Sequence, residues 1–460
     1  MKVIIGKKVT VKEAPMRVSN EIKETLTVLN PKWLENDRLG RWNRGTPQKL
    51  FYFDAPRQKE LVVPRGFAYT LIPIAKKHGV PIEWGDERRQ FDPIPYKFHG
   101  KLKDFQVDAT EDCLKRDWSV LCAPTGSGKT VMGLWMIAKR QQPTMVIVHN
   151  KELMYQWVER AKRFLGIPKD MIGLTGDGHY SVNPDGLNVG IVNSVYTKGE
   201  KISPHIGFYL VDECHRTPSR TFIDATTLFD AKYSLGLTAT PYRRDSLHRL
   251  IFWYLGPMAH QVPTDEIMAQ GHIIPIEVIV HDSDFVSEYS AKEEYPAMLS
   301  DLTSNAYRNS LVVDDVAKEV RNYPEGTCLV LSDRKEHCAY LKALLEDRHS
   351  IPSMVLTGDT KKKERAQIVE MVTAGKVKVL IATGQLIGEG FDCGELSSLF
   401  IATPISFKGR LIQYVGRVLR PAKGKLVARI HEYVDNNIGQ LVNQFRKRCI
   451  VYRREYSASI

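Results

Sequence analysis

The sequence predicts an α/β protein in which two tandem parallel-sheet domains follow a small basic α+β N-terminal domain. Two long stretches alternate short apolar runs with amphipathic helical patterns, and this alternation is typical of βαβ units in a parallel sheet. The first 100 residues lack it and are rich in basic and aromatic side chains. A length of 460 residues fits about three domains of ~150 residues each. We expect these domains to span residues 1–97, 98–265 and 266–460.

The periodicity assigns strands and helices to each stretch. In the first, strands are predicted at 119–122, 145–149, 189–193, 208–211 and 234–237, with helices at 130–139 and 152–164. In the second, strands are predicted at 328–332, 377–383 and 399–402, with helices at 336–346 and 362–374. Residues 262–279 are expected to connect the two stretches, and residues 282–308 to form a polar helical segment. The N-terminal pattern predicts strands at 50–53 and 61–64, a helix within 63–78, and a proline-containing linker at 91–100.

The net charge of +12 is concentrated at the two ends of the chain. Residues 1–100 carry a net +8 and residues 440–460 a net +4, while the charges between them balance. A neutral central part with basic ends suits a polyanionic partner such as nucleic acid. A solvated basic surface without any partner fits the composition equally well.

Other features exclude several classes of protein. No run approaches the ~20 apolar residues that span a bilayer, and the N-terminus has no signal-peptide core. The seven cysteines are scattered and form no Cys-x-x-Cys pair, which argues against a zinc or redox site. We expect a cytoplasmic protein with reduced core thiols and no membrane association.

Residues 123–130 read Ala-Pro-Thr-Gly-Ser-Gly-Lys-Thr and lie between a predicted strand and a predicted helix. A phosphate-binding loop requires this context, because glycines let backbone N–H groups surround phosphate oxygens and a helix N-terminus favours an anion. The lysine reaches the β- and γ-phosphates, and the last threonine supplies a hydroxyl ligand to Mg²⁺. The sequence therefore predicts an ATP and Mg²⁺ site with the loop residues Thr125, Gly126, Ser127, Gly128, Lys129 and Thr130.

Two carboxylates follow the predicted strand at 208–211. An isolated acidic pair is usually a solvated turn, but its place at a strand end after the phosphate loop favours the second half of a nucleotide site. Asp212 is expected to bind Mg²⁺, and Glu213 to orient and deprotonate the attacking water. Farther along, the hydroxyls of Thr238 and Thr240 are expected to hydrogen-bond the acidic pair and a nucleic-acid phosphate.

The second domain contributes basic residues. Gln413, Arg417 and Arg420 are spaced i, i+4 and i+7, so they would share one face of a helix. Two guanidinium groups on one face suit the charge that develops on a transferring γ-phosphoryl group, although a basic solvent face would have the same spacing. In the glycine-rich segment 383–392, Thr383 is a candidate contact to nucleic acid, and Asp392 a candidate to hold an arginine finger or the ribose.

Taken in order over residues 101–421, these motifs resemble those of superfamily 2 helicases, and in particular their XPB-like, RadD-like and phage UvsW-like members of DExH type. The resemblance implies two RecA-like domains, ATP hydrolysis and 3′→5′ movement along one strand. It assigns Gln106 to adenine recognition, and His149 and Asn150 to a motif that touches the nucleic-acid backbone. The continuation of the third motif through Arg243 favours XPB-like members over DEAD-box RNA helicases.

Residues 1–97 match no family, but a domain in this position often grips DNA in the relatives. Arg41 and Arg44 are candidate DNA contacts, together with Arg38, Lys49 and Arg57. Aromatic residues are interleaved with them, and we expect most of these aromatics to form the core of the domain instead of stacking on bases. They are Trp33, Trp42, Phe51, Tyr52 and Phe53.

The sequence thus predicts an ATP-driven motor, monomeric when free, on single-stranded, forked or branched DNA in repair, recombination or replication. Four alternatives stay open. These are an RNA helicase, a translocase that does not unwind duplex, an inactive scaffold, and the motor subunit of a restriction or defence complex with a nuclease or repair protein as partner.

Overall fold

The computed structural model describes residues 1–215, 219–240, 247–384, 395–406, 408–422 and 424–460. The chain divides into two compact units, which are described separately below. The first comprises Met1–Ala123 and Gly128–Val262, and the second comprises Pro263–Ile460 with the short segment Pro124–Ser127. Each unit contains a parallel sheet flanked by helices, which confirms the predicted α/β fold class.

A five-stranded sheet of order β5-β6-β2-β1-β7 opens the first unit, with β1 and β7 parallel and the other pairs antiparallel. A separate pair, β3 and β4, is also antiparallel. The strands are β1 (Lys2–Ile5), β2 (Val9–Lys12), β3 (Thr27–Leu29), β4 (Lys49–Phe51), β5 (Asp54–Arg57), β6 (Glu60–Val63) and β7 (Glu83–Asp86). The helices of this part are α1 (Met16–Thr25), α2 (Pro31–Arg38) and α3 (Ala68–Lys77).

The large sheet of the first unit has the order β11-β10-β12-β9-β13-β14-β8-β15 and is parallel except at β11. Each of its predicted strands is confirmed. The strands are β8 (Trp118–Cys122), β9 (Thr144–Val148), β10 (Gly173–Gly176), β11 (His179–Tyr180), β12 (Leu187–Ile191), β13 (Phe208–Val211), β14 (Tyr233–Thr238) and β15 (Met258–Gln261). The helices are α4 (Asp104–Leu114), α5 (Lys129–Arg140), α6 (Lys151–Leu165), α7 (Val192–Ile202), α8 (Ser219–Thr226) and α9 (Arg249–Leu255).

The two sheets of the first unit share one hydrophobic cluster, which runs from Val3 in β1 to Leu255 in α9. Arg65 lies in this shared core. Its guanidinium group donates to the Ala231 carbonyl and to the Tyr209 hydroxyl, both at 2.8 Å. The N-terminal sheet is therefore packed onto the large sheet through buried apolar and polar contacts. The expected domain limit near residue 97 stays a prediction.

The second unit is built on a parallel sheet of order β16-β21-β20-β17-β19-β18. Its strands are β16 (Ile276–Ser283), β17 (Thr327–Ser332), β18 (Ser353–Leu356), β19 (Val379–Thr383), β20 (Leu396–Ile401) and β21 (Ala428–Asp435). The helices are α10 (Thr264–Ala269), α11 (Tyr295–Ser304), α12 (Ala306–Asn322), α13 (Lys335–His349), α14 (Lys362–Thr373), α15 (Lys408–Val418) and α16 (Gly439–Tyr456).

Two predictions for the second unit are wrong in part. The expected connector 262–279 contains α10 and the start of β16, and the expected helical segment 282–308 begins with the end of that strand. Strand β16 lies at the edge of the sheet and alternates polar and apolar residues, so it lacks the continuous apolar run of a central strand. The basic residues of segment 440–460 lie on the helix α16, in which Arg448 is buried and paired with Glu432 at 2.7 Å.

A buried ion pair holds α12 against the sheet. Arg308 Nε lies 2.7 Å from Asp435 Oδ1, and Arg308 Nη1 donates to the Ala402 carbonyl at 2.7 Å. Both charged side chains are essentially inaccessible to solvent, so each depends on the other. Across the described part of the chain, no helix is long and apolar enough to cross a lipid bilayer.

Candidate nucleotide-binding and catalytic site

Four neighbouring strands of the large sheet bring the predicted motifs of the first unit together. They lie in the order β9-β13-β14-β8 and are parallel, so their carboxyl ends meet at one edge. The phosphate loop follows β8, the acidic pair follows β13, and the third motif ends β14. His149 and Asn150 follow β9. Ligands of open α/β sheets bind at this edge, outside the carboxyl ends of the strands.

The phosphate loop has the backbone conformation that its glycines permit. Gly126 and Gly128 have φ values of 89° and 83°, in the left-handed region that other residues avoid. A Cβ atom on Gly128 would lie 2.6 Å from Gln106 Nε2, so glycine also allows Gln106 to approach the loop. Lys129 begins α5, and its ammonium group donates to the Ala123 carbonyl at 3.1 Å.

The acidic pair is partly desolvated. Asp212 is buried, and burial together with the charge of Glu213 raises the pKa of Asp212 to about 6. The hydrogen bond from Trp157 and the charge of Lys129 act in the opposite direction. Glu213 has a φ of 47°, which is uncommon for a non-glycine residue and is typical of strained functional positions. A buried carboxylate beside a second negative charge is suited to bind a cation.

Two further residues, which the sequence interpretation missed, contact the expected Mg²⁺ ligands. The Trp157 indole donates from Nε1 to Asp212 Oδ2 at 2.7 Å, and Arg160 Nη1 donates to the Thr130 hydroxyl at 2.6 Å. Both side chains come from α6. The sequence carried one indirect signal, a glycine in the middle of α5 at Gly133, but it could not identify the side chain that fills the space.

The third motif connects to the acidic pair through a histidine. The expectation that Thr238 and Thr240 bond the carboxylates directly is wrong in detail, because the Thr238 hydroxyl lies 2.8 Å from His215 Nδ1. That same nitrogen lies 3.5 Å from Glu213 Oε2. The Thr240 N–H donates to the Thr238 hydroxyl at 3.0 Å, and both threonines are buried. The histidine of the DExH motif thus lies between Glu213 and Thr238, with its short contact to the threonine hydroxyl.

His149 and Asn150 lie at the start of α6. Asn150 caps this helix, since its side chain accepts the Leu153 N–H at 2.9 Å. Asn150 Nδ2 lies 3.4 Å from His149 Nε2. Both residues are half-buried at the sheet edge described above.

In the second unit, the structure supports only part of the predicted arginine face. Gln413 and Arg417 lie on α15, but Arg420 lies beyond its end at Val418. The reason is local, because Pro421 disfavours helical backbone in the residue before it. Thr383 ends β19. Asp392 and Arg243, with most of the glycine-rich segment and the continuation of the third motif, lie outside the described residues.

The expectation that most of these aromatic residues form the core of the N-terminal domain is only partly confirmed, since Tyr52 and Phe53 pack against the core cluster. The core cluster there is mainly aliphatic, whereas Trp42 and Phe51 are 81% and 61% exposed. Trp33, Tyr52 and Phe53 are half-buried. Trp42 lies in the loop between α2 and β4, where the guanidinium carbon of Arg44 lies 5.4 Å from the centre of its ring.

Hydrogen bonds shape this loop. Asn36 Nδ2 donates to Asn43 Oδ1 at 3.0 Å, and the Arg41 N–H donates to the Asn36 carbonyl at 2.8 Å. The segment 38–53 contains four basic residues and no acidic one. The four are Arg38, Arg41, Arg44 and Lys49, and all are exposed. Among the described residues none of them forms an ion pair, so the loop, called the basic loop below, presents unneutralised charge around an exposed indole.

Thr130 and Asp212 fit the Mg²⁺ ion that ATP-dependent motors of this kind use. They offer a hydroxyl and a carboxylate oxygen, which are hard ligands of the type that Mg²⁺ prefers. Mg²⁺ usually takes one or two protein ligands and keeps phosphate and water for the rest of its coordination. A site with a single buried carboxylate therefore suffices.

Two conserved-domain families match the chain. The family described as "Type III restriction enzyme, res subunit" matches residues 99–243, and the family described as "Helicase conserved C-terminal domain" matches residues 312–422. Together the matches cover more than half of the chain, and they fall on the two parallel sheets.

Known helicases are similar over most of the chain. The "DNA 3'-5' translocase XPB2" of Sulfurisphaera tokodaii is 26% identical over 373 residues, covering 73% of this chain and 82% of that protein. The "Probable helicase D10" of Escherichia phage T5 is 25% identical over 414 residues, covering 89% of this chain and 85% of that protein. The structure of S. cerevisiae Dbp5 bound to RNA and ADP BeF3 has the same fold, with a TM-score of 0.54 at 14% identity, covering 77% of this chain and 88% of that one. The chain therefore belongs to the superfamily 2 helicases, as an ATP-hydrolysing, XPB-like member with two RecA-like domains.

Proposed function

We propose that this helicase is a DNA-dependent ATPase that moves 3′→5′ along one strand and unwinds or remodels branched DNA in repair, recombination or replication. The observation that carries the proposal is the shared sheet edge, at which the phosphate loop, the acidic pair and the residues after β9 emerge from neighbouring strands. The choice of DNA and the direction are supported by the relative named as a DNA 3'-5' translocase.

The first unit binds the nucleotide and activates water. Lys129 and the N–H groups of the phosphate loop hold the phosphates, and Gln106 recognises the adenine from its place beside Gly128. Thr130 and Asp212 hold Mg²⁺, which neutralises charge on the phosphate oxygens. Glu213 accepts the proton of the attacking water, with His215 beside its carboxylate.

The second unit supplies positive charge to the reaction. Arg417 and Arg420 stabilise the charge of the γ-phosphoryl group as it is transferred, with Gln413 one turn before Arg417 on α15. Asp392 holds an arginine or the ribose. Hydrolysis then requires closure of the two units, and the cycle of closing and opening moves the strand.

Several residues of both units are proposed to contact nucleic acid. At the sheet edges they are His149, Asn150, Thr238, Thr240, Arg243 and Thr383. In the basic loop, Arg41 and Arg44 pair with phosphates while Trp42 stacks on a base, a combination typical of single-stranded nucleic-acid binding. The exposure of Trp42 and the excess of positive charge around it support this role.

A second candidate is the motor subunit of a restriction or defence complex with a separate nuclease. The description of the family that matches residues 99–243 favours it. The ATP chemistry is the same in both cases, so the preferred substrate must distinguish them. An RNA helicase is the third outcome of the same measurement.

ATPase activity should be measured with single-stranded, duplex and forked DNA and with RNA of matched length. We expect single-stranded and forked DNA to stimulate hydrolysis most strongly. Glu213→Gln should bind ATP but lose at least about a hundredfold in rate, since it removes the general base. Equal or stronger stimulation by RNA would refute the DNA assignment, and stimulation by intact duplex alone would favour the restriction motor.

The role of the basic loop can be tested separately. Trp42→Ala and the double variant Arg41→Ala/Arg44→Ala should weaken binding of single-stranded DNA, while basal ATPase activity stays unchanged. Each loss of a stacked base corresponds to about 1–3 kcal/mol, or roughly five- to 150-fold. The double variant should also reduce the salt dependence of binding, because fewer counterions are released. Arg321→Ala is the matched control, an exposed arginine on α12 of the second unit that no proposed nucleic-acid contact includes.

A further inference from the structure

Helix α6 connects two parts of the active site that are otherwise separate in sequence. It starts at the Asn150 cap and contains Trp157 and Arg160, which are three residues apart and so lie on one face. At ~1.5 Å of rise per residue, Trp157 is about 10 Å along the helix from Asn150. One helix thus begins at the proposed nucleic-acid contact and reaches the proposed Mg²⁺ ligands.

The contacts of the two side chains are specific. Trp157 donates to Asp212 at 2.7 Å, and Arg160 donates to Thr130 at 2.6 Å. The second oxygen of the Asp212 carboxylate accepts the Glu213 N–H at 2.9 Å. Each carboxylate oxygen and each hydroxyl has two lone pairs, so these bonds orient the expected ligands and leave a lone pair for the ion.

Helix α5, which follows the phosphate loop, has a glycine where the Trp157 ring packs against it. Trp157 is only 1% exposed, and its ring fills space that a side chain at position 133 would need. A Cβ atom on Gly133 would lie 2.8 Å from Trp157 Cη2 and 3.1 Å from Leu210 Cδ1. Glycine in a helix interior costs about 1 kcal/mol relative to alanine, so its presence there has a packing reason. The indole is held between α5 and β13, and a shift of α6 would move it relative to Asp212.

We propose that Trp157 and Arg160 are positioning residues that orient Asp212 and Thr130 for Mg²⁺, and that α6 thereby links nucleic-acid contact at its N-terminus to Mg²⁺–nucleotide affinity. The linking half rests on the proposed function, because it assumes that His149 and Asn150 contact nucleic acid. The positioning half rests on the two hydrogen bonds alone. Neither residue touches the nucleotide in this proposal, and both act through the ligand that they orient.

The positioning half is tested by nucleotide binding without turnover. The affinity of the full-length Trp157→Phe variant for a fluorescent, non-hydrolysable ATP analogue is measured with Mg²⁺ and with EDTA. We expect about tenfold weaker binding with Mg²⁺, as for loss of a hydrogen bond to a charged acceptor, and less than about twofold change in EDTA. Arg160→Gln should show the same split. An equal loss in both conditions would mean a merely structural role and would overturn the proposal.

Trp118→Phe is the matched control. Trp118 is also buried in the first unit, and its indole donates to the Lys232 carbonyl at 3.0 Å, away from the acidic pair. This variant loses the same N–H group and the same ring area, so it reports the general effect of the change. It should bind the analogue like the unmodified protein in both conditions. If it reproduces the Mg²⁺-specific loss, the assignment to Trp157 fails.

The linking half is tested by reciprocal binding. Affinity for a fluorescent single-stranded oligonucleotide is measured with and without the Mg²⁺–analogue complex, and the ratio gives the coupling between the two ligands. We expect a ratio of about five- to 150-fold in the unmodified protein, falling toward one in Trp157→Phe, with unchanged oligonucleotide affinity in the absence of nucleotide. A ratio that Trp157→Phe preserves would overturn the link alone. An unmodified protein that binds no DNA would instead contradict the proposed function.

Discussion

Replacing Asp212 with asparagine should make the nucleotide-free protein more stable at neutral pH, while abolishing Mg²⁺-dependent ATP hydrolysis. Burial, reinforced by Glu213, raises the pKa of Asp212 from 3.8 to about 6. The folded protein therefore holds this proton more tightly than the unfolded chain does. The contribution of the carboxyl group to stability is fully present below pH 3.8 and is lost as the pH rises through 6.

The pKa difference sets the size of the effect. A rise of about two units corresponds to about 3 kcal/mol of stability lost once the carboxyl group is ionised. The asparagine side chain does not titrate, so Asp212→Asn should avoid this loss. Its amide nitrogen cannot accept a hydrogen bond, however, so the N–H of either Trp157 or Glu213 loses its acceptor at a cost of about 1–2 kcal/mol. We expect the variant to be more stable by about 1–2 kcal/mol near pH 8, with this advantage gone near pH 5.

Urea denaturation of both proteins in EDTA at several pH values measures this difference, because titrating groups that do not interact with Asp212 act equally on both. Asp86→Asn is a control of opposite sign, since the hydrogen bond from Arg88 lowers the pKa of the Asp86 carboxyl. Asp86→Asn should be less stable than the unmodified protein at neutral pH, and this difference in stability should vanish in acid. An Asp212→Asn protein that is less stable than the unmodified protein near pH 8 would refute the reasoning. A difference in the free energy of unfolding that does not depend on pH would also refute it.

Three further changes test packing elsewhere. Gly133→Ala gains about 1 kcal/mol of helix propensity, but its methyl group would crowd the Trp157 ring at a cost of about 1–3 kcal/mol. Urea denaturation should therefore show a net loss of stability of up to about 2 kcal/mol instead of the gain that propensity alone would give. Asp435→Asn leaves the buried charge of Arg308 without its partner and should lower the free energy of unfolding by about 3–5 kcal/mol, whereas Arg308→Met with Asp435→Leu should recover much of this loss. Gly66→Ala places a methyl group against backbone atoms of α9 and should lower the melting temperature by several degrees, which calorimetry would detect.

The nucleotide site of the first unit was the most predictable part of the molecule. Its loop and acidic pair follow buried strands with continuous apolar runs, which sequence periodicity identifies reliably. Parallel strands place their carboxyl ends at one edge, so residues far apart in sequence, such as Lys129 and Asp212, could be assigned to one site before their distances were known. The glycine-rich loop after β8 could be recognised from this sequence alone, because phosphate binding restricts which residues can occupy it.

Other parts depended on contacts that a single sequence does not reveal. Trp157 and Arg160 lie within an ordinary amphipathic helix, and only the position of β13 beside β9 shows that they reach the Mg²⁺ ligands. Strand β16 alternates polar and apolar residues at a sheet edge, and its pairing with β21 joins segments about 150 residues apart. Most aromatic residues before position 54 were expected inside, but aliphatic residues from three strands and two helices already fill the centre of that core.

The shared core of the two N-terminal sheets has a mechanical consequence. Arg65 and its apolar neighbours fix the N-terminal sheet to the same framework that carries the phosphate loop, so the two cannot swing independently without breaking buried contacts. A nucleic-acid strand bound by the basic loop would therefore move together with the large sheet of the first unit in every ATPase cycle. A variant shortened to begin at residue 98 would expose the apolar surface that the N-terminal sheet covers. Such a variant should aggregate before any loss of nucleic-acid binding could be measured.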